Sequence, residues 1–448
     1  MSEEVDFYQQ QAKVLNSSVP WVKQLQDEGS QDLCRLGFPT RHHEHWKYTS
    51  LNTFLQKRFH CLEVSQARTC TTSSNNLQEI PSSALRAPSP HVWGEGNKEG
   101  CSEDADKTPK GQGLAIPFPR ISESDFPIGA LVMPLPRAMV EHAEKIKPYL
   151  NKILHHEHGF HALNTAMLHD GMFIYLPKGV CLGKPLCLSH WQDRTDHATY
   201  LRHLVVLEEG SSLSLVEDYQ GSSEACYFTN TITEVHLSEN TKLSHYKIQR
   251  EGSLAYHVGE LVVQQASGSQ LQSHLFSIGG ALVRSDTSID LAAPNAECLM
   301  NGIYLPVDHQ HMDHHTLVTH SAPHCRSLQD YKGVLRGKSR AVFNGRVIVA
   351  PGANHTEAIQ QNKNLLLSSE TEIDTKPQLE IFANDVVCTH GATVGQLDEE
   401  ALFYLATRGI ERAQAMQYLV QAFTVENMRK IANDEIAAMV GPLINPMG

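Results

Sequence analysis

The longest patterned stretch of the chain runs from about residue 160 to 393, where short apolar runs alternate with polar turns and no long helical period appears. Corners recur within it: GSSL (210–213), NTKL (240–243), GSQL (268–271), NAECL (295–299) and a looser HCRSL (324–328). Their leucines, Leu213, Leu243, Leu271, Leu299 and Leu328, are spaced 30, 28, 28 and 29 residues apart. A fixed period of this size predicts a solenoid, and the strand patterning makes it a β-solenoid. Gly or Asn at each corner tolerates left-handed backbone. The apolar residue that follows forms one rung of a stacked interior, because a single coil cannot bury its own face. A β-sandwich is the second architecture, but it leaves so regular a period unexplained.

The flanks read differently. Residues 5–36 predict two short amphipathic helices, the second with Val22, Leu25, Leu33 and Leu36 on one face and Gly37 and Pro39 as its stop. The segment RHHEHWKYT (41–49) predicts a surface turn with Trp46 and Tyr48 packed on the core. From about 65 to 115 the chain is rich in Ser, Gly, Pro and charge and predicts a long loop or partly disordered segment. Residues 137–155 predict a helix with Met139, Val140, Ala143, Ile146 and Leu150 on one face. After Gly395 the period becomes helical again: Asp398 is the expected N-cap, Leu402, Leu405 and Ala406 the apolar face, and Gly409 the break. A second helix is expected from about 411, with Ala413, Met416, Val420, Phe423 and Ile431 on one stripe and Gly441-Pro442 as its end. These helices either cap the last coil or present a face to a partner. The chain divides into a helical N-terminal part (1–160), a β-solenoid (161–393) and a helical C-terminal part (394–448).

Composition narrows the function. A formal charge of −13 argues against nucleic acid or an anionic membrane as the main partner. No apolar run approaches membrane-span length. The start, MSEEVDFYQQ, is acidic and lacks an apolar core, so a cytoplasmic location is expected, with the 10 cysteines mostly reduced. Histidine is abundant at 26 residues, which reads either as a solvated surface or as metal handling. No CxxC occurs, so a zinc knuckle is not expected.

Candidate chemistry concentrates in PQLEIFANDVVCTHGATVGQLDEEALFYLATRGI (377–410). Leu379, Ile381 and Ala383 alternate with Glu380 and Phe382 as in a strand with one buried face. Cys388 and His390 stand two apart, so on extended backbone they share a side. A thiolate and an imidazole on one face hold iron or zinc. The plainer reading is a small buried Cys beside a hydrogen-bonded His, and the spacing alone does not decide. In HQHMDHHTLVTH (309–320), His309, His311, Asp313 and His315 alternate opposite His314 and Thr316. This segment is either a metal-binding face or a hydrogen-bonded ladder; His314, His320 and nearby Cys325 are weaker metal candidates. GVLRGKS (333–339) has three residues between its glycines and precedes a strand-like run, so it is not a phosphate-cradling loop. No oxyanion site or oriented base accompanies Cys388, which argues against a nucleophilic Cys–His pair. A β-helix polysaccharide lyase does not suit this N-terminus.

Several words carry a likeness: KPQLEI (376–381), CTHGATVGQLDEEALFYL (388–405), RGI (408–410), DHHT (313–316), YKGVL (331–335), VFNGRVIV (342–349), NKNLLLSSE (362–370), LNTA (163–166), YLPKGV (175–180) and FPTRHHEHWKYT (38–49). With these the chain resembles the SufB/SufD family of iron–sulfur cluster assembly scaffolds over everything except about 50–115, and its block order is nearer the SufD branch. The resemblance implies a right-handed parallel β-helix core and a scaffold that is not an enzyme and binds no nucleotide itself. It implies pairing with a SufB-like subunit through the C-terminal end of the β-helix. It implies docking of a SufC-like ATPase on the C-terminal helices, with Glu399, Glu400, Phe403, Tyr404, Arg408 and Gly409 as candidate contacts. His390 matches the family's proposed junction ligand, and Cys388 is matched beside it. The implied cargo is a transient iron–sulfur cluster, or iron, shared with the partner; iron entry is also linked to this branch. A homodimer in isolation, a SufB-like homodimeric scaffold and an unrelated metal-binding β-helix remain the alternatives.

Overall fold

The computed structural model describes residues 2–61, 69–71 and 126–444. Apart from 69–71, the segment expected to be loop or disordered at 65–115 lies outside the described residues. The chain opens with helices α1 (Glu3–Val14) and α2 (Pro20–Leu36), a 3-10 turn at Glu44–Trp46 and a short α3 (Asn52–Leu55). Gly37 ends α2 at φ +61° with its N–H on Leu33. Short strands β1 (His60–Cys61), β2 (Thr69–Thr71) and β3 (Leu131–Pro134) follow, then α4 (Leu135–Glu141), α5 (Ala143–Ile146) and α6 (Gly159–Ala166). The continuous helix expected over 137–155 is broken at His142 (φ −131°). Val140, placed on its apolar face, is 65% exposed, whereas Met139, Ile146 and Leu150 are buried. The helix α6 is buried at every residue and precedes the first solenoid strand.

From residue 172 to 396 the chain is a parallel β-solenoid built as two stacked sheets. One contains β4 (Met172–Leu176), β6 (His197–Leu207), β8 (Phe228–Leu237), β10 (Tyr256–Gln265), β12 (Leu282–Leu291), β14 (His311–His320), β16 (Arg340–Val349) and β18 (Glu372–Ile381). The other contains β5 (Leu186–Gln192), β7 (Ser212–Gly221), β9 (Lys242–Arg250), β11 (Gln270–Ser277), β13 (Glu297–Tyr304), β15 (Arg326–Leu335), β17 (Glu357–Leu366) and β19 (Val387–Gln396). Successive strands alternate between the sheets, so from β4 to β19 each parallel partner lies two positions away in sequence order.

The periodic signal has its physical origin at one corner. Gly179, Gly210, Asn240, Gly268, Asn295, His324, His355 and Asp385 all hold φ between 54° and 72°. Three residues after these corners runs an interior column joined by register: Leu213, Leu243, Leu271, Cys298, Ser327, Ala358 and Cys388. Leu299 and Leu328, expected in that column, sit one residue off it and are only half-buried. The column narrows from Leu to Cys, Ser and Ala, so a search for leucine slips by one.

The solenoid interior is apolar at one end of each strand and polar at the other. In β10, Leu261 and Val263 join the inner apolar cluster, while Val258 and Val262 face outward into other clusters. His257 lies on the inner face with them and, fully buried, approaches Glu251 at 2.7 Å. His245 meets Glu217 at 3.1 Å, also buried. Buried charges paired in this way satisfy the rule that interior polar groups need partners.

Helices cover the outer faces. The N-terminal part packs Phe54, Phe59 and Phe160 on Tyr200, Phe228 and Tyr256 of the even-numbered sheet. It is fastened by the buried pair Arg202–Glu234 (2.9 Å), whose guanidinium also reaches Asn164 (3.1 Å) and Asn151 (2.9 Å). The C-terminal part comprises α7 (Glu399–Thr407), α8 (Arg412–Met428) and α9 (Asp434–Ile444). Val420, Ile431, Ile436 and Val440 pack on Val216, Ile248, Phe276 and Ile303, along the outside of the odd-numbered sheet. A third helix thus exists where one was expected to continue, and Pro442 lies inside it instead of ending it. Asn433 caps that helix, accepting from Ile436 N–H at 3.0 Å. Ala415, and not Ala413, is the buried alanine of α8.

Candidate functional site

The two ends of the solenoid are treated differently. At the first turn, β3 pairs antiparallel with β4, and Phe126, Ala130 and Val132 pack over the core. At the last turn, β18 and β19 are the terminal strands of their sheets. The C-terminal helices lie along the side, so they do not cap this turn. Ile381, Phe382, Val387 and Val394 stay exposed there, Val387 at 64%.

Cys388 and His390 stand on this last turn. Cys388 is in register with Ala358 and packs at the edge of the inner apolar cluster. His390 is in register with Gln360, which is fully buried one turn below; His390 itself is exposed. Both therefore lie on the inward side of β19 and look out of the open end. Burial pushes the Cys388 thiol above its usual range, partly offset by a backbone contact to Ala358. A thiol held protonated becomes a ligand when a cation or a bound metal draws off its proton. One sulfur and one imidazole supply two donors, whereas an iron–sulfur cluster takes four. Alone, this turn is half of a site.

The backbone edge is also open. Val387 N–H donates to the carbonyl of Thr356, just before β17, at 2.9 Å. Alternate residues of a parallel strand serve opposite neighbours. The N–H and C=O groups of Cys388, His390, Ala392 and Val394 therefore point away from β17. On β18, Phe382 N–H donates to Val349 and Glu372 N–H to Ser339, so Pro377 occupies an outward position and removes one donor from that edge.

The weaker metal candidates are elsewhere. His314 is buried on the inner face of β14, with its ring 4.9 Å from Tyr304, and burial pushes it down to about 3. His320 is buried, meets Ser327 at 2.8 Å, and is pushed down to about 4. Cys325 is buried and donates to Ala293 O at 3.3 Å. None of the three is brought to Cys388 or His390. On the outer face of β14, His311, Asp313 and His315 do align, but Asp313 is held by Arg284 (2.7 Å), His315 (3.0 Å) and Thr49 (2.5 Å). His309 falls before the strand. Many of the histidines are buried within or against the solenoid, among them His190, His203, His245, His257 and His274.

Helix α7 projects beyond the side cover. Asp398 caps it, accepting from Glu400 N–H at 2.8 Å. Leu402 is its buried residue, Leu405 is half-buried, and Ala406, expected on the apolar face, is exposed. Phe403 and Tyr404 are 72% and 57% exposed. Arg408 lies over the Tyr404 ring at 5.1 Å, Glu399 pairs with Arg412 at 2.8 Å, and Gly409 turns the chain at φ +82°. No helix of the described residues is long and apolar enough to cross a membrane.

One further cluster was not among the candidates above. His158, His161 and Asp286 converge between the N-terminal part and the even-numbered sheet. They come from α6 and β12, and only the His-x-x-His spacing hinted at them. Beside them, Trp46 is buried as expected, but Tyr48 is 39% exposed and lines a neighbouring cleft.

Comparison with known proteins fits this architecture. The family model for the SUF system FeS cluster assembly SufBD core domain matches residues 190–423, and that for the SufBD protein N-terminal region matches 2–74 and 119–188. The chain is 30% identical over 417 residues to iron–sulfur cluster assembly protein SufD of Escherichia coli, covering 92% of this chain and 89% of that one. It is 30% identical over 298 residues to a SufBD-family iron–sulfur cluster assembly protein of Synechocystis, covering 64% and 66% respectively. It is 32% identical over 286 residues to the chloroplastic protein ABCI7 of Arabidopsis thaliana, covering 62% and 60%. A parallel β-solenoid with helical flanks and matches over both parts place the chain in the SufB/SufD family of iron–sulfur cluster assembly proteins, where it is most like SufD.

Proposed function

We propose that the chain is a SufD-like scaffold subunit that completes a cluster site with a SufB-like partner and catalyses no reaction of its own. The observation that carries this reading is the uncovered last turn, on which Cys388 and His390 stand beside two open strand edges. Partner strands added to those edges would satisfy the free backbone groups, and the partner would supply the missing ligands. A cluster held across a subunit junction is released when the junction moves. The exposed aromatic face of α7, with Phe403 and Tyr404, suits a SufC-like ATPase, whose nucleotide-driven closure would move the junction. Iron acquisition would then occur at this junction, in a soluble cytoplasmic complex.

The test is co-expression with SufB-like and SufC-like partners, followed by anaerobic reconstitution and absorption spectroscopy. The expected outcome is a stable complex whose cluster band falls in His390→Ala and in Cys388→Ser. A chain that ignores both partners and assembles a cluster as a homodimer overturns it.

A further inference from the structure

We propose that His158, His161, Glu260 and Asp286 form a binding site for one first-row divalent cation of the Zn²⁺ or Fe²⁺ type. The site lies where the N-terminal part meets the outer face of the even-numbered sheet, on the opposite side of the backbone from the inward-facing Cys388. Glu260 and Asp286 are register partners on β10 and β12, so their carboxylates project side by side. Above them, His158 caps α6 and His161 is in its first turn, one helical turn apart.

The distances suit a metal. Donor atoms of His158, His161 and Asp286 lie within 4.8 Å of one another. His161 Nε2 is 2.7 Å from Glu260 Oε2, and His158 Nε2 is 3.6 Å from Asp286 Oδ2. Bonds of about 2.1 Å in a tetrahedron put donors roughly 3.4 Å apart, so small side-chain rotations close the set.

Each carboxylate and His161 is held by its other polar atom. Glu260 Oε1 accepts from Ser288 at 3.0 Å, leaving Oε2 turned towards His161 Nε2. Asp286 Oδ1 accepts from Arg284 at 2.8 Å, leaving Oδ2 without a hydrogen bond. His161 Nδ1 lies 3.2 Å from the carbonyl of His155, which fixes Nε2 as the free nitrogen. Outer contacts of this kind orient metal ligands. Arg284 is itself committed to Asp313 and to His45 O, at 2.7 and 2.8 Å.

The cluster is poorly explained as a finished hydrogen-bond network. His158 is buried, and neither ring nitrogen has a hydrogen-bond partner. His161 Nε2 and Glu260 are close but not aligned as a hydrogen bond. Orphaned buried polar atoms are costly, and a cation between the two imidazoles and two carboxylates would satisfy His161 Nε2, Asp286 Oδ2 and one of the two His158 nitrogens. Such a nitrogen–oxygen set suits Zn²⁺, Fe²⁺ or Co²⁺ more than Mg²⁺ or Ca²⁺. A cleft of about 300 Å³, lined by His45, Glu157, His158, Glu260, Asp286 and Arg346, gives a route from solvent.

The test uses the full chain carrying Cys388→Ser and His390→Ala, so that the open end is not counted. Anaerobic Co²⁺ titration near neutral pH should give a d–d absorption band that saturates at one equivalent. Glu260→Gln and Asp286→Asn, which keep side-chain shape, should each weaken binding at least about tenfold. Lack of saturable binding, or unchanged affinity in both variants, overturns the site. X-ray absorption of the Zn²⁺-loaded Cys388→Ser, His390→Ala chain needs no variant at the site: two imidazoles with oxygen donors support it, and a sulfur shell overturns it.

Discussion

A single proline distinguishes the two edges of β19. Ala392 points its N–H to the open side, whereas Thr393, in register with Lys363, directs its own to β17. Proline removes one donor and fills the space where a partner carbonyl would approach. Gly391 precedes Ala392, and a glycine there relieves the usual clash with the proline ring. Ala392→Pro therefore leaves the ladder to β17 intact. It deletes one intersubunit hydrogen bond, about 1 kcal/mol net, and adds a steric block, so the loss of partner affinity should reach at least tenfold, about 1.4 kcal/mol. Thr393→Pro breaks a bond within the subunit and leaves a β17 carbonyl unpaired, at about 1–3 kcal/mol of stability. The assay pairs surface plasmon resonance against the SufB-like partner with thermal unfolding of the isolated chain. Affinity should fall in Ala392→Pro with the melting temperature held, and the melting temperature should drop by a few degrees in Thr393→Pro. Full affinity in Ala392→Pro would refute strand addition at this edge.

Other outcomes follow from the same geometry. His390 is exposed and makes no buried contact that folding depends on, so His390→Ala should melt like the natural chain yet lower the cluster absorbance of the reconstituted complex. Phe403→Glu should weaken ATPase capture at least tenfold, about 1.4 kcal/mol, in a pull-down or calorimetric titration, without changing the melt, because Phe403 is 72% exposed. Glu234→Ala leaves the buried Arg202 without its counter-charge, with only Asn164 and Asn151 accepting from it, and should cost about 3–5 kcal/mol in urea unfolding. The buried His314 is held below its ordinary value, so its contribution is complete above about pH 6.5 and declines as pH falls below that. His314→Gln should flatten that part of the stability–pH curve.

The solenoid was legible because one corner per turn needs a left-handed residue, and Gly210, Asn240 and Gly268 announce it. The signal fades at His324, His355 and Asp385, which adopt the same φ without being Gly or Asn. The interior column blurred for a related reason: Cys298 and Ser327 occupy rung positions while Leu299 and Leu328 lie beside them. Histidine was the least readable residue. It reads as surface or metal chemistry, yet His245 and His257 serve as buried partners of Glu217 and Glu251. The His158 cluster needs a helix cap, a helix turn and two adjacent strands to meet, and no local pattern encodes that meeting.

Where the helices lie explains why the candidate site is at an end. A β-solenoid has two long faces that must be covered and two ends that extend it. Here both faces are sealed, by Phe54, Phe59 and Phe160 on one side and by Val420, Ile436 and Val440 on the other. The first turn is closed by β3. Among the described residues, the open edges of β18 and β19 lie on the turn that carries Cys388 and His390. An edge left open invites aggregation, and this one is moderated on β18, where Pro377 deletes a donor, but not on β19. Proline on one strand and free amides on the next make the edge selective. A partner sheet that pairs with β19 gains its full set of bonds, whereas one that slides onto β18 loses a bond at Pro377. Replacing Pro377 with Val would restore that donor and should raise self-association of the isolated chain, read as a concentration-dependent mass increase by analytical ultracentrifugation. An unchanged mass would show that this proline does not guard the edge.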